Sequence, residues 1–155
     1  MKKVLVVYFS VSGVTERVAE DLAKEFNADL EEIVPAKRYT SADLNWMDKN
    51  SRSSLEMKDE NSRPEILKGK FDTTNYDVVM IGYPIWWYVE PRCVDTFIES
   101  NKLEKATVVP FATSGGSSVD ESVKHLKKLY PNLKFTKGFL LNKDINRAKI
   151  EKEIA

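Results

Sequence analysis

Apolar side chains recur along this sequence in two alternating rhythms. Residues 4–9 form an unbroken apolar run, and comparable runs lie within residues 77–82 and 106–112. A shorter one at residues 28–34 is ended by Pro35, and residues 133–141 carry a broken one. Between the runs the spacing changes to three and four. Val14, Val18, Leu22 and Phe26, with Ala19 and Ala23 alongside, make one stripe. Val89, Cys93, Phe97 and Ile98 make a second, and Val119, Val123, Leu126 and Tyr130 make a third, stopped by Pro131. A weaker amphipathic pattern covers residues 144–154. Short continuous runs between helical stripes predict alternating strands and helices. Strands apolar on both sides belong to a parallel sheet covered on both faces. The expected α/β fold is a three-layer, doubly wound, five-stranded parallel sheet with strand order 2-1-3-4-5. A length of 155 residues fits one domain, residues 1–155.

Residues 36–76, in the place of the second crossover, break the rhythm. They are polar and poor in β-branched side chains. Thr40 or Ser41 is expected to cap a helix running to about Lys58, with Leu44, Met47 and Leu55 turned inward. Residues 59–70 read as an exposed loop around Pro64.

Candidate chemistry begins where the first run ends. Ser10-Val11-Ser12-Gly13-Val14-Thr15 joins the first strand to the first helical stripe. Helix N-termini leave N–H groups unpaired and favour negative charge. Gly13 lets the backbone come close to a ligand, and Ser10, Ser12 and Thr15 bring hydroxyl donors. The loop holds no Lys or Arg, so it is not a triphosphate loop of the Gly-Lys-Ser/Thr kind. It has one Gly where a dinucleotide fingerprint has three. What remains suits one phosphate monoester on neutral donors.

In an open parallel sheet, ligands sit beyond the carboxyl ends of the strands at the switch point, here between strands one and three. The loops after Phe9, Gly82 and Ala112 should therefore converge. The second loop reads Pro84-Ile85-Trp86-Trp87-Tyr88-Val89-Glu90-Pro91. Three consecutive aromatics at a loop tip cost solvation unless something flat covers them. One is expected to pack into the helix that follows, and Trp86 and Trp87 are equal candidates for a ring contact. The third loop, Thr113-Ser114-Gly115-Gly116-Ser117, allows backbone N–H groups to approach a ligand edge.

Together these three loops resemble the flavodoxin-like FMN-binding family. Ser10, Ser12, Gly13 and Thr15 match its phosphate motif. Pro84-Ile85-Trp86-Trp87 and Thr113-Ser114-Gly115-Gly116 look like the two isoalloxazine loops of a short-chain flavodoxin subgroup. The resemblance implies FMN held by Ser10, Ser12, Gly13, Val14, Thr15, Pro84, Ile85, Trp86, Trp87, Tyr88, Thr113, Ser114, Gly115 and Gly116. It implies electron transfer through the flavin, with no catalytic side chain and no metal. Pro84-x-x-Trp87-x-x-x-Pro91 is also similar to the second loop of flavin quinone reductases. The alternative is thus an NAD(P)H-dependent quinone or nitroaromatic reductase, and a more distant one is a non-redox phosphate-ester binding module. The implied partner is either a redox protein or NAD(P)H with a small electron acceptor. In flavodoxins a peptide of the second loop flips to stabilise the one-electron state. Residues 84–91 contain no Gly, so positive φ there costs on the order of 1 kcal/mol or more, which favours two-electron exchange.

Composition narrows the partners. Lys+Arg 24 against Asp+Glu 24 leaves no basic excess for nucleic acid. It also departs from the acidic flavodoxin carriers. No apolar run approaches the ~20 residues needed to span a bilayer, and Met-Lys-Lys-Val leads into a strand rather than a signal peptide. A single cysteine excludes an internal disulfide and fits a reducing cytoplasm. Cys93 lies on an apolar stripe and reads as a buried thiol. His125 falls off its stripe and is expected to face solvent. Trp46, in the polar crossover, stands near enough in topology to overhang a ring.

Overall fold

A computed structural model of the chain describes residues 2–68, 71–114, 116–142 and 145–155. Five parallel positions form one sheet. In chain order the elements are β1 (Val4–Tyr8), α1 (Val14–Glu25), β2 (Asp29–Glu32), α2 (Arg52–Lys58), β3 (Val78–Pro84), α3 (Arg92–Ser100), β4 (Thr107–Thr113), α4 (Asp120–Leu129), β5 (Lys134–Phe135), β6 (Phe139–Leu140) and α5 (Arg147–Ile154). The strand order is β2-β1-β3-β4-β5, as expected. The broken fifth run becomes two short pieces on the same edge of β4. Lys134 and Phe135 register with Thr107 and Val108, and Phe139 and Leu140 with Phe111 and Ala112.

Alternation along the strands divides the interior into two cores. Leu5, Val7 and Phe9 point to one face with Val79, Ile81 and Tyr83, where α3 brings Cys93, Val94 and Phe97 and α4 brings Val123 and Leu126. Val4, Val6 and Tyr8 point to the other with Val78, Met80 and Phe111, covered by Val18 and Leu22 of α1 and Ile150 and Ile154 of α5. The central strands β1, β3 and β4 are therefore buried on both sides, which explains their unbroken apolar runs.

The second crossover differs from expectation. Only Arg52–Lys58 is helical, capped by Ser51, whose hydroxyl accepts the Ser54 N–H at 3.3 Å. Residues 40–50 are successive turns. Thr40 Oγ1 accepts the Asp43 N–H, Asn45 Oδ1 the Met47 N–H and Asp48 Oδ1 the Asn50 N–H. Short polar side chains thus take the backbone donors that a helix would use. Met47 and Leu55 are exposed rather than inward, and Leu44 is half-buried.

His125 also departs from expectation. Its Nδ1 lies 2.8 Å from Glu90 Oε2, and its side chain is only 14% exposed. Glu90 is fully buried and draws the ring inward. Ser122 Oγ donates to Glu90 Oε1 at 3.3 Å, and the Tyr83 and Ser122 hydroxyls lie 2.7 Å apart. Asp95 completes this polar cluster. The Tyr130 hydroxyl stands 2.9 Å from Asp95 Oδ1 and 2.7 Å from Glu99 Oε2. Asp95 Oδ2 is buried and receives no donor from the described residues. Burial first, and then the neighbouring Glu90 carboxylate, hold the Asp95 carboxyl well above the usual carboxylate range. The Cys93 thiol is buried, and burial pushes it up, away from the reactive thiolate.

Two stability predictions follow from these contacts. A Cβ on Gly82 would stand 2.1 Å from Phe111 Cζ. Gly82→Ala should therefore cost about 2–3 kcal/mol by overpacking in chemical denaturation; an unchanged midpoint would show that the Phe111 ring moves freely. The second concerns pH. In the unfolded chain Asp95 ionises near pH ~4, while the fold retains its proton, so stability falls as pH rises from that value through neutrality. Asp95→Asn cannot ionise, and its melting temperature should decline less than the parent's between those limits. Parallel declines would contradict a neutral Asp95.

Candidate functional site

The first loop leaves β1 at the carboxyl edge of the sheet, where the Phe9 N–H still donates to Gly82 O at 2.9 Å. Ser10 Oγ accepts the Gly13 N–H at 3.2 Å, which curls the loop back on itself. Gly13 has φ 91°, a left-handed conformation that a Cβ disfavours, and it caps α1 with no side chain. The first helical bond runs from the Arg17 N–H to Gly13 O at 3.1 Å. The N–H groups of Val14, Thr15 and Glu16 consequently lie outside the helical ladder. Ser12, Gly13 and Val14 are exposed, whereas Ser10 is half-buried. Thr15 is buried, and its Oγ1 lies 2.7 Å from Thr113 Oγ1. That contact ties the first loop to the third. It leaves Ser10 and Ser12 as the hydroxyls best placed to reach a ligand. Arg17, just beyond the motif, lines a cavity beside Ser12 and Gly13 that Asn142 also borders. A search for cations inside the loop alone overlooks it.

The second loop is tighter than its sequence suggests. β3 runs through Pro84, and the Ile85 N–H donates to Thr113 O at 3.1 Å. Trp86 and Val89 then pair, each N–H donating to the other's carbonyl at 2.9 and 3.1 Å. Trp87 (φ 47°) and Tyr88 (φ 73°) occupy the two central positions. Two positive φ values in a two-residue hairpin are the pattern of a type I′ turn, normally built from Asn and Gly. The expectation that a Gly-free loop resists positive φ is corrected here. The cross-strand bonds hold both residues in that conformation, so the cost is already present in the fold.

The aromatics divide. Trp86 turns inward and meets Phe9 and Tyr39 edge-on, with centroids 5.7 and 5.4 Å away. It is the ring that packs inward; Tyr39 is held in turn by the Arg52 guanidinium, 3.8 Å from its centroid. Trp87 is 43% exposed and Tyr88 66%. They border a cavity of about 470 Å³ with Ile85, Trp46 and Leu44; Trp86 also lines it despite its inward packing, and Ser117 of the third loop closes one side. Leu44 and Tyr39 come from the polar crossover; the helical spacing there marks Leu44, but no periodicity marks Tyr39.

The third loop folds around one hydroxyl. Ser114 Oγ accepts the Ser117 N–H at 2.7 Å and the Gly116 N–H at 3.2 Å. Asn142 clamps the Ser114 backbone, accepting from its N–H at 3.0 Å and donating to its carbonyl at 2.8 Å. The Gly116 N–H is thus engaged within the loop rather than presented outward. Gly115 lies outside the described residues. Among those described, no group of three His, Cys, Asp or Glu side chains could hold a metal ion.

The turn geometry yields a direct prediction. Gly relieves a left-handed position, and Tyr88 buries little. Tyr88→Gly should keep or raise stability, by up to about 1 kcal/mol in denaturant titration. A loss of that size would mean that the exposed ring stabilises the fold.

Comparison with known proteins bears on the family and the fold. A family model described as Flavodoxin matches residues 3–155. No curated protein matches the chain. A candidate flavoprotein from Bacteroides eggerthii is 50% identical, with a TM-score of 0.97 over 100% of this chain and 99% of that one. A second, from Bacteroides uniformis, is 46% identical, with a TM-score of 0.90 over 97% and 96%. A flavoprotein in complex with FMN from Lactobacillus acidophilus shares the fold at 23% identity, with a TM-score of 0.75 over 100% of both chains. With its strand order, its three converging loops and a family match across nearly its whole length, the chain belongs to the flavodoxin family.

Proposed function

We propose that this chain binds one FMN and carries or transfers electrons through it. The observation that supports the reading most is the 2.7 Å contact between Thr15 and Thr113. It joins a loop with donors for a single phosphate to the loops that border an aromatic-lined slot. The donor set fits the group. Ser10, Ser12 and the free N–H groups at the start of α1 would hold the phosphate. Gly13 adds no side chain there, and a Cβ built on it meets nothing within 4 Å, so the approach is open. Pro84, Ile85, Trp86, Trp87 and Tyr88 would border the isoalloxazine, with the third loop toward its polar edge. Bound FMN supplies the redox chemistry; the protein binds, orients and shields it. The flavoprotein from Lactobacillus acidophilus, of the same fold, is in complex with FMN.

A second reading is an NAD(P)H-dependent reductase of quinones or nitroaromatics. It draws on the exposure of Trp87 and Tyr88 and on a third loop of Thr, Ser and Gly, which places no ring over the slot. An NADH:FMN oxidoreductase shares the fold at 14% identity, with a TM-score of 0.55. In either reading the chain works in the cytoplasm, where a lone buried thiol stays reduced. No helix among the described residues is long and apolar enough to cross a membrane.

Ligand titration by flavin fluorescence tests the phosphate assignment. Each hydrogen bond to a charged group is worth about 1.5–3 kcal/mol. Replacing Ser10 and Ser12 together by Ala should therefore weaken FMN by about a hundredfold or more and leave riboflavin unchanged. Equal losses for both ligands would refute it. Sustained NAD(P)H oxidation by the FMN-loaded protein with a quinone would favour the reductase; a single stoichiometric reduction would favour the carrier.

A further inference from the structure

A second, smaller cavity lies beside the slot just described, and its lining differs in charge. Trp46 and Trp87 line both cavities. The smaller one, about 240 Å³, adds Lys49, Lys58, Ser54 and Met57. Trp46 is 70% exposed although it is among the largest apolar side chains in the protein. An indole left in water beside a second exposed indole marks a place where something flat is meant to lie. Met57 is buried beneath them and supplies a polarisable floor.

The two lysines decide the class of ligand. The chain is neutral overall, yet among the described residues two ammonium groups and no carboxylate line this cavity. Neither Lys49 nor Lys58 forms an ion pair with the described residues, although carboxylates are as numerous in the chain as cations. Lysine ammonium groups act as mobile point charges and suit an anion of loose geometry, such as a carboxylate, sulfonate or phosphate. We infer that the Trp46, Trp87, Lys49 and Lys58 cavity binds a planar aromatic molecule that carries an anionic group. The rings stack on the indoles and the anion meets the lysines. This deepens the proposed function and rests on it for its role, because Trp87 would then stand between this molecule and the flavin slot. It names the class of small molecule brought alongside that slot.

The test uses naphthalene-2-sulfonate as probe, with 2-methylnaphthalene and methanesulfonate as controls. Binding is followed by calorimetry and by the shifts of the tryptophan indole N–H signals, on the chain with and without FMN. Naphthalene-2-sulfonate should bind saturably at one site and move the Trp46 signal, while each control binds more weakly. Lys49→Gln with Lys58→Gln should weaken the probe by about tenfold, since each exposed charge contact is worth up to about 1 kcal/mol. Trp46→Leu should weaken it comparably. The double lysine variant should keep its FMN affinity, which separates this cavity from the flavin slot. Three results would overturn the inference: no saturable binding, equal affinity for the neutral ring, or a probe insensitive to the lysine and Trp46 changes. If FMN itself fails to bind, the proposed function falls, and the same titrations still decide whether the cavity takes an aromatic anion.

Discussion

Burial of β1 on both faces is the constraint on which the rest of the structure depends. Six consecutive side chains, Val4 through Phe9, leave water, three into each core. Each such burial contributes about 1.5–3 kcal/mol, and a one-residue slip would exchange the two cores. Register with β3 is thereby fixed, Val4 opposite Val78 and Tyr8 opposite Gly82. Register with β4 follows through Phe111, whose ring lies against Gly82. Once three strands are locked in parallel, their carboxyl ends coincide. The Ser10, Trp86 and Ser114 loops then meet without any contact designed to bring them together, and the Thr15 and Thr113 hydroxyls fasten what the sheet has aligned.

Rigidity at that edge comes from different sources in each loop. The first relies on Gly13 and the Ser10 hydroxyl, the third on Ser114 and Asn142. The second stores positive φ at Trp87 and Tyr88 and holds it with a pair of backbone hydrogen bonds. Below that turn, Glu90 leads into the buried cluster of Asp95, Ser122 and His125. The strained turn is therefore anchored at one end by Trp86 in the aromatic core and at the other by a carboxylate with several partners. Such anchoring is what allows a turn without Gly to keep two aromatic rings projecting into solvent.

The sheet was legible because its signal is redundant. Continuous apolar runs can hide only in a doubly covered sheet, and the stripes at Val18, Leu22, Phe97 and Leu126 fix which helices cover it. The turn from β1 into α1 was legible because hydroxyls, a Gly and a helix start occur together. Less could be read where tertiary contacts override local pattern. Residues 40–50 carry helical spacing, but Asn45 and Asp48 divert the backbone into turns. His125 lies off the apolar stripe, yet a buried carboxylate from another element recruits it. Tyr39 joins the aromatic cluster from a polar stretch with no periodicity. The division between Trp86 and Trp87 depends on the turn at 86–89, and adjacent identical side chains carry no information about which one turns inward.

The central claim is the proposal that the carboxyl edge binds one FMN, by a single phosphate and one flat ring. The most direct measurement is to isolate the protein, release its bound chromophore with acid, and identify it by mass spectrometry with the stoichiometry per chain. The account predicts FMN at one per chain, or full occupancy after incubation of colourless protein with FMN. Recovery of FAD, or a protein that stays colourless in excess FMN, would contradict it.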